Sequence, residues 1–320
     1  MSKIEIEVEF PDFKIVDFHL HFPITQDDWL KPYRDRYIQE NGQNKWDELQ
    51  ALNNAQPSWL KDWCFPTPEE TSDNIEEVAH RWFEEVNRYP IEKVFFVTGG
   101  TNEILSDVIK MHPDKFAGFA HHYIKDEDAD LKLRNAICNQ GLVGYKILGP
   151  VVDIPLNDRQ FDKVWTVCDE LKLPVLVHFG ILGGGSGIVS GPNMSPLVLG
   201  EVAKRFPNIN FIVPHFGCGY TNDLLQLCWA CPNVYVDTSG NNLWTKWTME
   251  SYTLEQLFQK FYSTIGPDRI IYGSDSEWFP RGYAIRYFLD QYRACKNLNI
   301  PNEDIKKIFR ENALRLVKRP

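Results

Sequence analysis

Eight short apolar runs along a 320-residue chain, most of them separated by polar stretches with helical period, constrain this protein more than any other feature. They are Ile15 to Phe22, Lys93 to Gly99, Phe116 to Tyr123, Val143 to Gly149, Pro174 to Gly180, Ile209 to Gly217, Val234 to Ser239 and Ile270 to Asp275. Strand patterns alternating with helix patterns are what parallel βα units produce. Eight of them over this length fit an α/β fold closed as a (β/α)8 TIM barrel better than an open doubly wound sheet.

The segments between the runs support the barrel. Ile75, Val78, Trp82, Val86 and Tyr89 recur at spacings of three and four before the second strand, as one buried helix face requires. Phe161, Val164, Trp165, Cys168 and Leu171 repeat the pattern after the fourth strand, with Asn157 as the expected cap. Ile305, Ile308, Phe309 and Leu316 close the outer ring. Core packing accounts for all of these positions.

Two intervals break the rhythm. Residues 23–72 follow the first strand and carry Trp29, Trp46, Trp59 and Trp63. In a parallel barrel such an insertion emerges at the C-terminal rim, where active sites lie, so it is expected to be a lid or substrate wall, with a dimer contact as the alternative. Gly183 to Gly191 follows the fifth strand. It has neither the spacing of a dinucleotide fingerprint nor a Gly-Lys-Ser/Thr phosphate cradle, and reads as a flexible rim loop. No linker, repeat or low-complexity tract divides the chain, so residues 1–320 are expected to form one domain.

Charge narrows the partners. The 44 acidic against 34 basic residues leave a net charge of −10, which opposes a general nucleic-acid or anionic-membrane surface. Met1 to Phe10 alternates apolar with mostly charged residues, unlike a signal peptide, and no run approaches the roughly 18 apolar residues of a membrane span. The expected location is the cytoplasm and the expected partner a small molecule, with a homo-oligomer also plausible for such a barrel. Seven scattered cysteines do not suggest a disulfide framework. Cys228 and Cys231 have C-x-x-C spacing but fall in an apolar helix pattern and read as buried thiols.

The histidines carry the chemistry. His19 and His21 lie near the end of the first strand, His121 and His122 at the end of the third, His178 at the end of the fifth and His215 at the end of the sixth. Strand alternation puts His19 and His21 on one face with Asp17 below them, and sends Phe18 and Leu20 to the helix layer. Asp275 ends the eighth strand as His178 and His215 end theirs. Strand ends converge in a barrel, and four imidazoles packed with a carboxylate would bury unsatisfied polar atoms unless a divalent metal coordinated them.

This constellation resembles the amidohydrolase superfamily: His-x-His on the first strand (His19, His21), His178, His215 and Asp275. Gly144-Tyr145-Lys146-Ile147, Leu173 to His178, Arg205 to Asn208, Asp268 to Asp275 and Glu311-Asn312-Ala313 place it with the amidohydrolase-2 branch, which includes aromatic-acid decarboxylases and lactone hydrolases. The resemblance implies one metal ion, usually Zn2+ with Mn2+ or Fe2+ also suited, held by His19, His21, His178 and Asp275. It also implies a metal-bound hydroxide as nucleophile and His215 as base or electrostatic support beside it, with Asp275 or His215 shuttling the proton. Binuclear relatives carboxylate a lysine at the fourth strand, so Lys146 is a bridge to a second metal, a cation facing an anionic substrate, or a structural residue.

The text after Asp275 departs from many relatives: Ser276 to Arg281 intervenes where they place an aromatic residue and proline. Trp278 is expected to stack on a planar substrate and Arg281 to clamp a carboxylate, unless they are a rim contact and a surface ion pair. His122 is a further candidate for the substrate wall, and Arg34 and Arg36 are alternative clamps. The leading expectation is a metal-dependent hydrolase of a small anionic lactone, amide or ester. A non-oxidative decarboxylase of an aromatic or enoic acid is the second, and a non-catalytic metal-binding barrel the third.

Overall fold

The computed structural model describes residues 10–24, 31–55, 59–181 and 191–318. Trp29, most of the glycine-rich loop and the alternating N-terminal residues lie outside that range, as does the side chain of Trp59. All eight expected strands are present and parallel: β1 (Ile15–His21), β2 (Ile91–Thr98), β3 (Phe116–Gly118), β4 (Tyr145–Leu148), β5 (Pro174–His178), β6 (Asn210–Val213), β7 (Val234–Asp237) and β8 (Ile270–Ile271). Ladders join β1 through β3 and β4 through β8. Two seams close the ring. Ala120 bridges to Tyr145, with Lys146 N donating to Ala120 O at 2.7 Å, and Leu20 bridges to Ser276, with Asp275 N donating to His19 O at 2.8 Å.

The interior is packed, as a barrel of this size requires. Val16 and Phe18 of β1 meet Phe95 and Val97 of β2, Ala117 of β3, Leu176 of β5, Ile212 of β6 and Ile271 of β8, and Ala313 and Leu316 add to this cluster from the C-terminal helix Asn312–Val317. Phe18 lies 5.0 Å from Phe95 and 5.4 Å from Phe119, ring to ring. The outer layer holds the expected helix faces: Val78, Trp82 and Val86 are buried on the helix Ile75–Asn87, which Asn74 caps by accepting from Glu76 N and Glu77 N. The next expected cap shifts by one residue. Asp158, not Asn157, accepts from Gln160 N, opening a short 3-10 turn before the helix Asp162–Glu170. Cys228 and Cys231 are buried free thiols, as expected.

Strict alternation fails on β1. The register against β2 slips between Asp17 and Leu20, which is a bulge. Phe18 faces the barrel interior together with Val16, two residues before it, instead of the helix layer, and the bulge lets His19, the next residue, reach the mouth as well. Asp17 does not sit below the histidines: its Oδ1 accepts from His19 N at 3.1 Å and from Ser274 N at 3.0 Å, tying β1 to the chain after β8.

The insertion supplies α1 (Lys31–Asn41), α2 (Gln43–Ala55) and a return leg. Trp46 packs edge-on against Tyr33 and Tyr37 of α1. The return leg is strapped to the rim: Asn241 Nδ2 donates to Trp63 O at 2.7 Å and Glu69 N to Phe279 O at 2.7 Å. No helix among the described residues is long and apolar enough to cross a membrane.

Candidate metal centre

The strand-end groups meet where the backbone leaves the ladders. Beyond β6 the chain turns through His215 and Phe216 with φ of 56° and 51°, and Asp275 has φ of 57°. Left-handed conformations in non-glycine residues cost about 1–3 kcal/mol each and persist where surrounding packing imposes them. Phe216 shows the packing, buried 5.4 Å from Phe258 and 5.3 Å from Phe261. These turns explain why β6 and β8 are shorter than their apolar runs: the last residues point side chains over the mouth instead of continuing to pair. Gly273 allows the closest approach, since a Cβ there would lie 2.7 Å from His19 Cβ and 3.0 Å from Asp237 Oδ1.

His19, His21, His178, His215 and Asp275 line one cavity of about 400 Å³. His19 and His215 rings are 5.2 Å apart, His19 and His21 5.2 Å, and His178 and His215 5.1 Å. Asp237 Oδ2 lies 2.6 Å from His19 Nδ1 and accepts its proton, which leaves Nε2 as a lone-pair donor. That Nε2 is buried, has no hydrogen-bond partner, and faces Asp275 Oδ1 at 3.6 Å. His21 Nε2 approaches the same oxygen at 3.2 Å, and its Nδ1 lies 2.6 Å from Thr98 Oγ1. His215 Nδ1 is held by Ser239, 3.1 Å from its carbonyl. His178 gives Nε2–H to Ile181 O at 3.0 Å, keeping Nδ1 as its available donor atom.

Among the described residues, His19, His215 and Asp275 form a group able to hold a metal ion, their ligand atoms all lying within 4.8 Å of one another. It includes His215, expected beside the ion, and not His21 or His178, expected as ligands; these two flank it. An orphaned buried imidazole nitrogen opposite a carboxylate fits a divalent ion, and nitrogen with oxygen donors suits zinc, manganese or iron.

Burial and then the nearby Lys146 cation push His19 well below the usual histidine range, and burial with His215 does the same to His178. Both are neutral, as ligands must be. Burial would raise Asp275, but His215, the hydrogen bond from His21 and His19 together hold it well below the usual carboxylate range. Burial pushes Lys146 down to about 8 against the pull of Asp275 and Asp237, and pushes Asp237 up to about 6.

Lys146, Trp278 and Arg281 line the same cavity, joined by Trp63 and Phe65 of the insertion. Trp278 stands edge-on to Phe65, 5.6 Å away. The Arg281 guanidinium lies 4.2 Å over the Phe65 ring, donates to Asp275 O and leaves its buried Nε without a hydrogen bond. His122 is not brought here. Its Nδ1 is 3.0 Å from Asn102 Nδ2 and its Nε2 donates to Ala129 O at 2.9 Å, so both ring nitrogens are committed. Arg36 pairs with Asp153 at 3.3 Å, and neither it nor Arg34 lines the cavity. Asp237 was missed by sequence reasoning, although it ends the apolar run Val234-Tyr235-Val236 as Asp275 ends its own.

Residues 16–319 match a family model described as amidohydrolase, nearly the whole chain. The chain belongs to the amidohydrolase-2 family. Members of this family are metal-dependent enzymes. Similar solved structures include 5-carboxyvanillate decarboxylase from Novosphingobium aromaticivorans complexed with manganese (TM-score 0.63, 16% identity, 96% of each chain covered). Another is 2,6-dihydroxybenzoate decarboxylase from Rhizobium (0.60, 18%, 95% of this chain and 98% of that one). A third is a probable 2-pyrone-4,6-dicarboxylic acid hydrolase from Acinetobacter baumannii with citric acid bound (0.60, 17%, 95% and 99%). At these identities the likeness shows that this amidohydrolase-2 chain shares their barrel fold.

Proposed function

We propose that this protein is a metal-dependent hydrolase of a small anionic lactone, amide or ester. The observation that carries the reading is the buried, unpartnered His19 Nε2, aimed at an Asp275 carboxylate that His21 also approaches. His19, His21, His178 and Asp275 would hold one ion, zinc first among the candidates, with His215 beside it. When bound, such an ion supplies Lewis acidity, polarising a carbonyl and acidifying water.

The chain's own groups supply the rest. Asp275, held ionised by its imidazole neighbours, and His215 accept the proton of the attacking water and return it to the leaving oxygen or nitrogen. Asp237 keeps His19 in the tautomer that presents Nε2. Lys146 and Arg281 attract and orient the substrate's acidic group, and Phe65 and Trp278 exclude bulk water above it.

The aromatic wall of Trp63, Phe65 and Trp278 beside Arg281 also favours a second reading, a non-oxidative decarboxylase of a flat aromatic acid. There the same acid and base groups would deliver a proton to carbon. Incubating metal-loaded protein with lactones and with aromatic carboxylates separates the two: base uptake without bicarbonate supports hydrolysis, and bicarbonate release supports the lyase. Full activity in His178→Ala and Asp275→Ala variants would remove those side chains from the mechanism, and two tightly bound metal equivalents per chain would overturn the single-ion site.

A further inference from the structure

We propose that the β2–β4 side of the barrel mouth is a second substrate compartment, which takes the apolar body of an acid whose reacting end lies at the histidine cluster, with Lys146 at the border. The inference rests on the proposed function and adds the shape of its substrate.

The mouth holds two adjoining cavities. The first contains the histidine cluster, and the second, of about 480 Å³, opens beside the ends of β2, β3 and β4 under α1. Thr98, Lys146 and Leu148 line both. A void of roughly 150 Å³ accommodates benzene, so the second cavity has room for a two-ring body. Its inner surface includes Ile124, Ile147, Val151 and Val152, all buried apolar side chains, and Asp35 of α1 lies on its outer wall.

Its two carboxylates and His122 are already paired. Asp35 pairs with Lys31, and Asp126 pairs with Lys132 at 2.9 Å. His122 has both ring nitrogens committed, and burial pushes it down to about 4, so it is neutral. Lys146 differs. It is 2% exposed, and its ammonium makes no hydrogen bond or ion pair with any described residue. A largely desolvated ammonium at a cavity wall gains from an acidic partner. The acids that offset it across the cavity are Asp275 and Asp237, and a divalent ion at the histidine cluster would draw on those same carboxylates. An acidic oxygen of the substrate, placed at the border, then satisfies Lys146, while the remainder of the molecule has the second compartment to enter.

The test is calorimetric titration of the full-length, zinc-loaded protein with benzoate and with biphenyl-3-carboxylate. The added ring, buried in the second compartment, is expected to tighten binding at least about tenfold. Asp35→Trp, a change on the compartment's outer wall that places an indole in it, brings the ratio of the two affinities to within about twofold of one. Lys146→Met weakens both acids while the ratio persists, and zinc content of each variant reports that the metal site still forms. A wild-type ratio near one, or a ratio unmoved by Asp35→Trp, overturns the compartment and leaves the proposed function standing. Binding of neither acid to protein that carries zinc overturns both.

Discussion

His19 with His21 and His121 with His122 occupy comparable places at the barrel mouth, at the ends of the first and third strands, yet their nitrogens have different fates. Around the first pair, carboxylates converge: Asp237 takes the His19 Nδ1 proton, and Asp275 lies before both Nε2 atoms. Around the second pair the chain folds back on itself. His121 Nδ1 lies 3.2 Å from Phe119 O and its Nε2 lies against Gly100 O and 3.2 Å from Gly99 N, while His122 bonds Asn102 and Ala129. One pair keeps a lone pair for a ligand and the other fastens loops. An imidazole's availability is therefore set by what its second nitrogen and its neighbours do, not by its position in a strand.

The sharpest way to break this contrast is to truncate one residue of each pair. His19→Ala should abolish tight metal uptake and lower kcat/KM roughly a thousandfold or more, several kcal/mol of lost charge stabilisation. His121→Ala should leave metal content unchanged and act on stability instead, by about 1–3 kcal/mol for orphaned buried groups. Elemental analysis and urea unfolding of both variants check this, and loss of metal in His121→Ala would erase the distinction.

A second contrast lies in pH. Burial holds His122 near 4 in the folded chain against 6.5 for a free histidine. The unfolded chain therefore binds the proton first, and stability falls as pH drops from about 6.5 to about 4. This residue's share is about 3 kcal/mol. His122→Asn should remove that part of the slope in urea titrations between pH 4 and 7. Parallel wild-type and variant curves would show that His122 is not buried as described.

Two milder changes sharpen the first pair's side. Asp237→Asn should leave the fold intact and weaken metal affinity about 10- to 100-fold, because the His19 tautomer is no longer fixed by a carboxylate; competition with a chelator measures it. Gly273→Ala should cost about 1–3 kcal/mol by driving a methyl against His19, with a smaller loss of metal affinity. An unchanged denaturation midpoint would mean that β8 can shift away from β1 without strain.

Much of this could be read from the sequence because it depends on local pattern. The strand and helix periods marked all eight strands, and His178, His215 and Asp275 were visible as polar residues ending apolar runs. The errors came where a second strand intervened. The β1 bulge brought His19 to the mouth directly after the inward-facing Phe18, which no alternation rule on one strand can foresee, since a bulge is a property of a strand pair. His122 looked like a wall residue because its partners, Asn102 and Ala129, are set by the fold.

By itself the sequence determined which residues end the strands, and hence which groups a closed barrel can bring to its mouth: apolar periodicity is encoded in neighbouring residues and needs no distant contact to be read. Only the tertiary structure decided which of those groups keep a free nitrogen or an unpaired charge. Hydrogen bonds such as Asp237 to His19, 218 residues apart, and the lack of one at Lys146 depend on distances between strands that the order of residues along the chain does not specify.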